Sequence, residues 1–212
     1  MAGSSGLELA GTWSHLATAD SDSGYARQQL DRFLSATEGL PGLRHLSGSG
    51  ALLNHPEMAL DAVRVGIAMY GCEGSDLDPV LRLRARVAQL KIVSAGESIG
   101  YGRTWTAPGR TRIATVSIGY ADGVHRVRSN RGEVLVRGRR APLVGRVSMD
   151  SITLDVSGVA GLEVGDPATL IGADGEERIR AEEVGAWSET ISYEVLTAIG
   201  RRVERVYLGR EA

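Results

Sequence analysis

Two loops of this 212-residue chain carry residue types that could bind or transform a ligand. Ser49 lies within Ser47–Gly50, whose small residues let backbone N–H groups approach an anion such as a phosphate. Tyr120 lies within Gly119–Gly123, after an apolar segment, where a strand-end turn can present its hydroxyl to a cleft. Each pattern also fits a plain alternative: a connection between a strand and a helix for the serine, and a packing role for the tyrosine.

The basic residues limit the reactions and binding sites that this chain could support. Lys91 is the sole lysine among 24 basic residues, so a reaction that needs a lysine amine has one candidate, although the scarcity itself is typical of codon bias. Arg64 lies inside the apolar segment Val63–Ile67, where it is either buried with a partner or placed in solvent at a strand end. The histidines lie far apart without ligand spacing, so no metal site is predicted: His15, His45, His55 and His125.

Composition excludes several function classes. With 42% apolar and 24% charged residues, the chain is neither disordered nor collagen-like nor a coiled coil. Its net charge of −2 gives no electrostatic reason to expect nucleic acid or an anionic membrane as a partner. Cys72 is the only cysteine, and the first six residues lack the features of a signal peptide. We therefore expect a cytoplasmic protein.

The first of two sequence textures alternates strands and helices. It predicts three strands, Leu7–Ser14, Leu43–Leu46 and Val63–Met69, with a helix that begins at Asp22 or Ser23 and a second one over Leu52–Ala62. This order is typical of βα units with a parallel sheet. So few units cannot close a (β/α)8 barrel, which needs roughly 250 residues, but they can form its last part.

The second texture follows a polar linker, Glu73–Pro79, and is rich in β-structure. Strands are predicted at Ile113–Ile118, Glu133–Val136 and Ile152–Val156, hairpin turns at Gly138–Arg140 and Ala173–Gly175, and one helix from about Arg180 to Trp187. We expect a compact β-domain or barrel. The predicted domains are residues 1–78 and 79–212.

Seven segments, in order, resemble one enzyme family: Leu7–Gly11, Ser14–Ala17, Val63–Gly71, Ser117–Gly123, Gly145–Asp150, Val164–Pro167 and Ile191–Val195. The chain resembles the C-terminal part of alanine racemases, which are fold-type III enzymes dependent on pyridoxal 5'-phosphate. The resemblance implies the last βα units of a (β/α)8 barrel followed by a C-terminal β-domain. It also implies interconversion of L-alanine and D-alanine for peptidoglycan, in a head-to-tail homodimer with shared active sites.

The resemblance also implies roles for particular residues. Tyr120 would be the second catalytic base, reaching the partner's barrel, and Met149 and Asp150 would line the substrate pocket. Arg64 would face the ring nitrogen of the cofactor. The cofactor phosphate would be bound by Ser49, by the N–H groups of Gly66 and Ile67 and by the hydroxyl of Tyr193. His45 would support Arg64, and His15 would lie near the ring.

Physical chemistry agrees with these roles. Racemisation removes a proton from one face of the substrate and delivers one to the other, which suits a lysine amine and a tyrosine hydroxyl on opposite faces. An arginine stays protonated, so it leaves the ring nitrogen it faces without a proton. A phenolate at Tyr120 would need a basic residue nearby.

The chain departs from the family at two points. The lysine that binds the cofactor lies near the start of the family's barrel, a region without a counterpart here, and Lys91 lies instead in an apparent β-domain strand. Gly48 stands where the family usually has asparagine. We expect this chain not to racemise alone. It is then a natural fragment, a truncated reading frame, or a non-catalytic β-rich module that pairs with an N-terminal half or a full-length racemase.

Overall fold

The computed structural model describes residues 6–209. The chain divides into two compact units between Asp78 and Pro79, and each has its own sheet. None of the helices within residues 6–209 combines the length and the apolar character that crossing a bilayer requires.

The first unit is a small α/β structure. Its elements are β1 (Gly11–Trp13), α1 (Ser23–Ala36), β2 (Leu43–Gly48), α2 (Ser49–Asn54) and β3 (Ala62–Arg64), with 3-10 turns at Pro56–Met58 and Ile67–Tyr70. The strands pair in parallel in the order β1-β2-β3, as the βα pattern predicted. The functional candidates of this unit follow the ends of β1, β2 and β3.

Helix α1 begins where the sequence indicated. The side chain of Asp22 accepts a hydrogen bond from the N–H of Tyr25 at 3.0 Å and so caps the first turn. Ala26 and Phe33 are buried one above the other on its inner face. They belong to the core of the unit, which consists of Leu16, Ala26, Phe33, Leu46, Ala51 and Met58.

The predicted helix over Leu52–Ala62 is wrong in its bounds. The α-helix is Ser49–Asn54, and it ends because Pro56 restricts the residue before it, His55, to a non-helical conformation (φ −142°, ψ 60°). The predicted loop Ser47–Gly50 is therefore the end of β2 and the start of α2.

Two predicted strands are also too long. The strand predicted over Val63–Met69 is only Ala62–Arg64, because Gly66 (φ −121°, ψ −92°) leaves the extended conformation and a 3-10 turn follows. The strand predicted over Leu7–Ser14 pairs with β2 only over Gly11–Trp13.

The second unit is built on antiparallel strands. Its elements are β4 (Leu83–Val93), β5 (Ser98–Ile99), β6 (Trp105–Thr106), β7 (Thr111–Val116), β8 (Glu133–Val136), β9 (Arg139–Pro142), β10 (Ile152–Asp155), β11 (Pro167–Asp174), β12 (Glu177–Ile179), α3 (Ala181–Trp187) and α4 (Ser192–Thr197). The main sheet has the order β10-β7-β4-β11-β8-β9, with β12 beside β11. A bridge between Leu143, just after β9, and Leu154 of β10 joins the two outer strands, so the sheet curls back on itself.

Both predicted hairpin turns are wrong in position. The first lies closer to the N-terminus than predicted, and the second lies closer to the C-terminus. Arg139 and Arg140 already belong to β9, and the turn is Arg137–Gly138, where both residues have positive φ (51° and 70°), as a two-residue hairpin requires. Strand β11 runs to Asp174, and its turn is Gly175–Glu176.

Two arginines tie α3 to this sheet. Arg128 is buried, and its guanidinium lies 5.2 Å from the ring centroid of Trp187. Burial lowers the pKa of Arg128 to about 10, against the opposing effect of the charge on Glu183. Arg140 binds three carboxylates, of Glu183, Glu177 and Glu133, and these hydrogen bonds raise the pKa of its guanidinium.

Candidate active-site elements

Arg64, at the end of β3, is held by hydrogen bonds on both terminal nitrogens. Nη1 lies 2.9 Å from Nδ1 of His45, and Nη2 lies 3.1 Å from Nδ1 of His15 and 2.8 Å from the carbonyl oxygen of Ser14. The guanidinium also lies 5.1 Å from the ring centroid of Trp13. The structure thus decides between the two sequence alternatives: Arg64 is partly buried and fully partnered at these nitrogens.

Two imidazoles contact the guanidinium of Arg64 through the same ring atom. Because a guanidinium only donates hydrogen bonds, Nδ1 of His15 and Nδ1 of His45 are the acceptors in these contacts. Within residues 6–209, Nε of Arg64 has no hydrogen-bond partner. The fixed guanidinium of Arg64 therefore has one N–H group, on Nε, available to a ligand.

Ser49 lies against the backbone that follows β3. Its buried hydroxyl oxygen accepts hydrogen bonds from the N–H of Gly66 at 2.9 Å and from the N–H of Ala68 at 3.2 Å. A Cβ built on Gly66 would have no atom within 4 Å, so the approach to this backbone is open. The structure brings Ser49, Gly66 and Ile67 together, and it adds Ala68, which the sequence analysis missed.

In the second unit, the segment of Tyr120 is joined to that of Met149 through the backbone. The N–H of Tyr120 donates to the carbonyl of Ser148, and the N–H of Ala121 donates to the carbonyl of Met149, both at 3.0 Å. A Cβ on Gly119 would lie 2.4 Å from each of these carbonyl oxygens, so only glycine allows this approach. Tyr120 and Met149 are both about half exposed, and these backbone hydrogen bonds place them on adjoining segments.

Arg202 binds the two carboxylates beside these residues. Its Nε lies 3.3 Å from Asp122, and its Nη2 lies 2.6 Å from Asp150. Asp122 is buried and also accepts the N–H of Gly119 at 2.9 Å. The hydrogen bond to Asp150 and the charge of Asp122 raise the pKa of Arg202. Asp150, predicted to line the pocket, is thus an ion-paired residue at the surface.

Tyr101 is a candidate that the sequence analysis missed. It lies between Gly100 and Gly102, which have φ values of 76° and 69°, and its side chain is 73% exposed. The guanidinium of Arg146 packs on this turn, since a Cβ on Gly102 would lie 3.2 Å from its Nε. Nε of Arg146 is buried without a partner in the described part of the chain. A tyrosine flanked by two glycines was the available signal.

The remaining candidates lie on separate elements. Tyr193 is in the first turn of α4 and is 43% exposed. Lys91 is exposed on β4, opposite Ile113 of β7, as expected from the sequence. Among residues 6–209, no three His, Cys, Asp or Glu side chains are grouped so that they could hold a metal ion.

Comparison with known sequences identifies the family. The model of the alanine racemase N-terminal domain matches residues 1–74, and that of the alanine racemase C-terminal domain matches residues 80–207. The chain belongs to the alanine racemase family. The match to both domain models covers the two units described above.

Individual relatives agree with this assignment. The alanine racemase of Halothermothrix orenii is 41% identical over 96% of this chain and 57% of its own length, and that of Sorangium cellulosum is 44% identical over 95% of this chain and 57% of its own length. The chain thus spans about 57% of the length of these curated relatives.

Solved structures of the family share the fold. Alanine racemase from Streptomyces coelicolor superposes with a TM-score of 0.88 at 38% identity, over 94% of this chain and 56% of that one. The enzyme from Bartonella henselae, with covalently bound pyridoxal phosphate, gives a TM-score of 0.87 at 33% identity, over 95% and 57% of the two chains.

Proposed function

We propose that this chain supplies the cofactor-binding and second proton-transfer elements of an alanine racemase that uses pyridoxal 5'-phosphate and interconverts L-alanine and D-alanine. The observation that carries the proposal is the pairing of a fixed arginine with an open N–H cradle in the first unit. The barrel, the head-to-tail homodimer, the cytoplasmic location and the role in peptidoglycan synthesis stay predictions from the resemblance.

The cradle fits a phosphate group. The N–H groups of Gly66 and Ala68 converge on one point, now occupied by the oxygen of Ser49, and Ile67 lies between them. A serine hydroxyl can rotate and donate, so Ser49 and the two N–H groups together can serve a dianion. No side chain stands over Gly66. We propose the same role for the hydroxyl of Tyr193, as the resemblance implies.

Arg64 fits the ring nitrogen of the cofactor. Pyridoxal phosphate, when bound, supplies a ring that draws negative charge from the substrate Cα. Nε of Arg64 is the donor left over after His15, His45 and backbone carbonyls have engaged the rest of the guanidinium. Because arginine keeps its proton, Arg64 would donate a hydrogen bond to the ring nitrogen and would leave that atom unprotonated.

The second unit offers two tyrosines for proton transfer. Tyr120, our prediction from the resemblance, lies beside Met149, which we propose lines the substrate pocket together with Asp150. Tyr101 is more exposed, and Arg146 packs against its neighbour Gly102. We therefore propose Tyr101 as a second candidate for the group that holds and delivers the proton.

Replacement by phenylalanine separates these two tyrosines. In an active assembly, the Tyr-to-Phe change at the proton-transfer residue should lower kcat by about 100-fold or more, in line with the usual contribution of general acid–base catalysis. The other change should act mainly on KM. Equal, small effects of Tyr101→Phe and Tyr120→Phe would mean that neither hydroxyl transfers the proton.

The resemblance matches no residue of this chain, Lys91 included, to the lysine that binds the cofactor in the family. Lys91 is an exposed residue on a sheet strand of the second unit, and it is the only lysine. We propose that the chain alone does not racemise and that it pairs with a lysine-bearing N-terminal half. The alternative is a non-catalytic module that pairs with a full-length racemase. Its only support is that the chain spans 57% of the length of the Halothermothrix orenii relative.

The test combines binding and activity. Pyridoxal phosphate is titrated into the full chain and followed by tyrosine and tryptophan fluorescence. We expect reversible binding, weakened at least tenfold by Ser49→Ala and unchanged by Ser75→Ala, a matched change in the exposed linker. Racemisation should appear only after addition of a lysine-bearing N-terminal half from a relative. Racemisation by the chain alone, with cofactor that borohydride fixes to Lys91, would overturn the proposal.

A further inference from the structure

The segment that follows α4 packs against the turn at Gly119–Gly123. The N–H of Gly200 donates to the carbonyl of Asp122 at 3.2 Å. A Cβ on Gly123 would lie 2.6 Å from the carbonyl oxygen of Ala198, so the two backbones are in direct contact. The segment after α4 therefore belongs to the surroundings of the candidate site.

The same segment is fixed internally by Arg205. Its Nη2 donates to the carbonyl of Ile199 at 2.9 Å, and its Nη1 donates to the carbonyls of Gly200 and Val203, both at 3.2 Å. These bonds, with a 3.3 Å bond from the N–H of Val203 to the carbonyl of Gly200, close a turn. Arg202 lies within this turn, so its backbone is held in place.

The side chain of Arg202 connects two carboxylates on different segments. Its Nε lies 3.3 Å from Asp122, which is buried, and its Nη2 lies 2.6 Å from Asp150. Asp122 is itself fixed, because it also accepts the N–H of Gly119 at 2.9 Å. One guanidinium thus connects an anchored carboxylate to the residue next to Met149.

Asp150 depends on this contact for its position. It lies at the tip of a loop that is closed by hydrogen bonds between Ser148 and Ser151. In the part of the chain that the structure describes, Arg202 is the only hydrogen-bond partner of the Asp150 carboxylate. Loss of the Arg202 side chain would thus release the Met149–Asp150 tip while the base of the loop stayed closed.

We propose that Arg202 is a positioning residue, which holds the Met149–Asp150 tip and thereby limits the size of the amino acid that the pocket admits. The inference rests on the proposed function, in which Met149 and Asp150 line the substrate pocket. Arg202 acts through Asp150 and touches no substrate itself. Stability alone does not explain the ion pair, because its two side chains are 55% and 60% exposed, and such pairs contribute little to folding.

The first measurement is of local order in the full chain without cofactor. Backbone 15N order parameters of Met149 and Asp150 should be about 0.85 in the unmodified chain and below about 0.6 in Arg202→Gln, which lacks the bridging guanidinium. The Tm of this variant should fall by less than about 4 °C, as expected for an exposed ion pair. Arg201→Gln is the matched control, because the exposed side chain of Arg201 makes no hydrogen bond or ion pair within residues 6–209. It should leave both order parameters unchanged.

The second measurement is of selectivity in the active assembly with a lysine-bearing N-terminal half. The ratio of kcat/KM for serine to kcat/KM for alanine should rise by about fivefold or more in Arg202→Gln, since a looser pocket wall discriminates less against the larger side chain. The ratio should stay constant in Arg201→Gln. A smaller amount of folded enzyme lowers both rates equally, so a merely structural role of Arg202 would leave this ratio unchanged.

Three outcomes would overturn the proposal. One is a Met149–Asp150 tip that is as ordered in Arg202→Gln as in the unmodified chain. Another is a loss of order spread evenly over β4–β12, which would mean that Arg202 only stabilises the fold. The third is a serine-to-alanine ratio that Arg202→Gln does not change. An assembly that does not racemise would overturn the proposed function instead, whereas the order parameters still decide whether Arg202 holds the tip.

Discussion

The approach of Gly119 to the Ser148–Met149 backbone permits a sharp prediction for Gly119→Ala. Gly119 has extended φ and ψ (−147°, −159°), which alanine adopts equally well. The cost of the change is therefore steric and comes from the new Cβ, which would lie 2.4 Å from the carbonyl oxygens of Ser148 and Met149.

The expected loss of stability has a steric part and a hydrogen-bonding part. Forcing an extra methyl into a packed site costs about 1–3 kcal/mol. Moving the segments apart also weakens the two hydrogen bonds from Tyr120 and Ala121, each worth about 0.5–1.5 kcal/mol. We expect the free energy of unfolding of the second unit to fall by about 3 kcal/mol, with Tm lower by about 6–12 °C.

Urea unfolding followed by the fluorescence of Trp105 and Trp187 measures this loss, in a Trp13→Phe background that removes the signal of the first unit. Gly158→Ala is the matched control, because a Cβ on Gly158 meets no atom within 4 Å and its φ is not positive. The control should change the unfolding free energy by less than about 0.5 kcal/mol. If Gly119→Ala were as mild as Gly158→Ala, the backbone contact would not hold these segments together.

Three further outcomes follow from the charged groups. Arg128→Met should leave the free energy of unfolding within about 1 kcal/mol of the original or raise it, since an apolar side chain replaces a buried cation whose Nε has no hydrogen-bond partner within residues 6–209; urea unfolding checks this. Arg140→Gln should destabilise the second unit by about 1–3 kcal/mol because three carboxylates lose their shared cation; an unchanged free energy of unfolding in urea would contradict this. Arg64→Lys should speed hydrogen exchange in β1–β3 by about tenfold or more, since an ammonium cannot reach the acceptors that the guanidinium fork engages; unchanged exchange would count against the fork.

Local signals in the sequence predicted three of the regular elements closely. Asp22 marked the start of α1, strand β8 has the bounds that its alternation indicated, and α3 begins within a residue of its prediction. These elements are set by caps and by hydrophobic periodicity, which neighbouring residues determine. The parallel pairing of β1, β2 and β3 also followed from the βα order.

The features that depend on distant contacts were harder to predict. In the sequence, the 3-10 turn after Gly66 resembles the continuation of an apolar strand. Hydrophobic periodicity does not show at which residue the pairing with a neighbouring strand ends. The position of the turn that carries Tyr101 depends on Gly145 and Arg146, more than 40 residues away along the chain. The family resemblance named Arg64, His45 and His15 and placed His15 near the cofactor ring, whereas the coordinates show that His15 contacts Arg64.

The link between Gly119–Ala121 and Ser148–Met149 consists of main-chain atoms alone, and this separates geometry from side-chain chemistry. Amino acids at positions 120 and 149 can be exchanged while the spacing of their α-carbons stays constant, provided that glycine is kept at 119. A combinatorial library at position 149 would therefore vary one side chain on an unaltered frame and leave Tyr120, the proposed proton-transfer residue, in place.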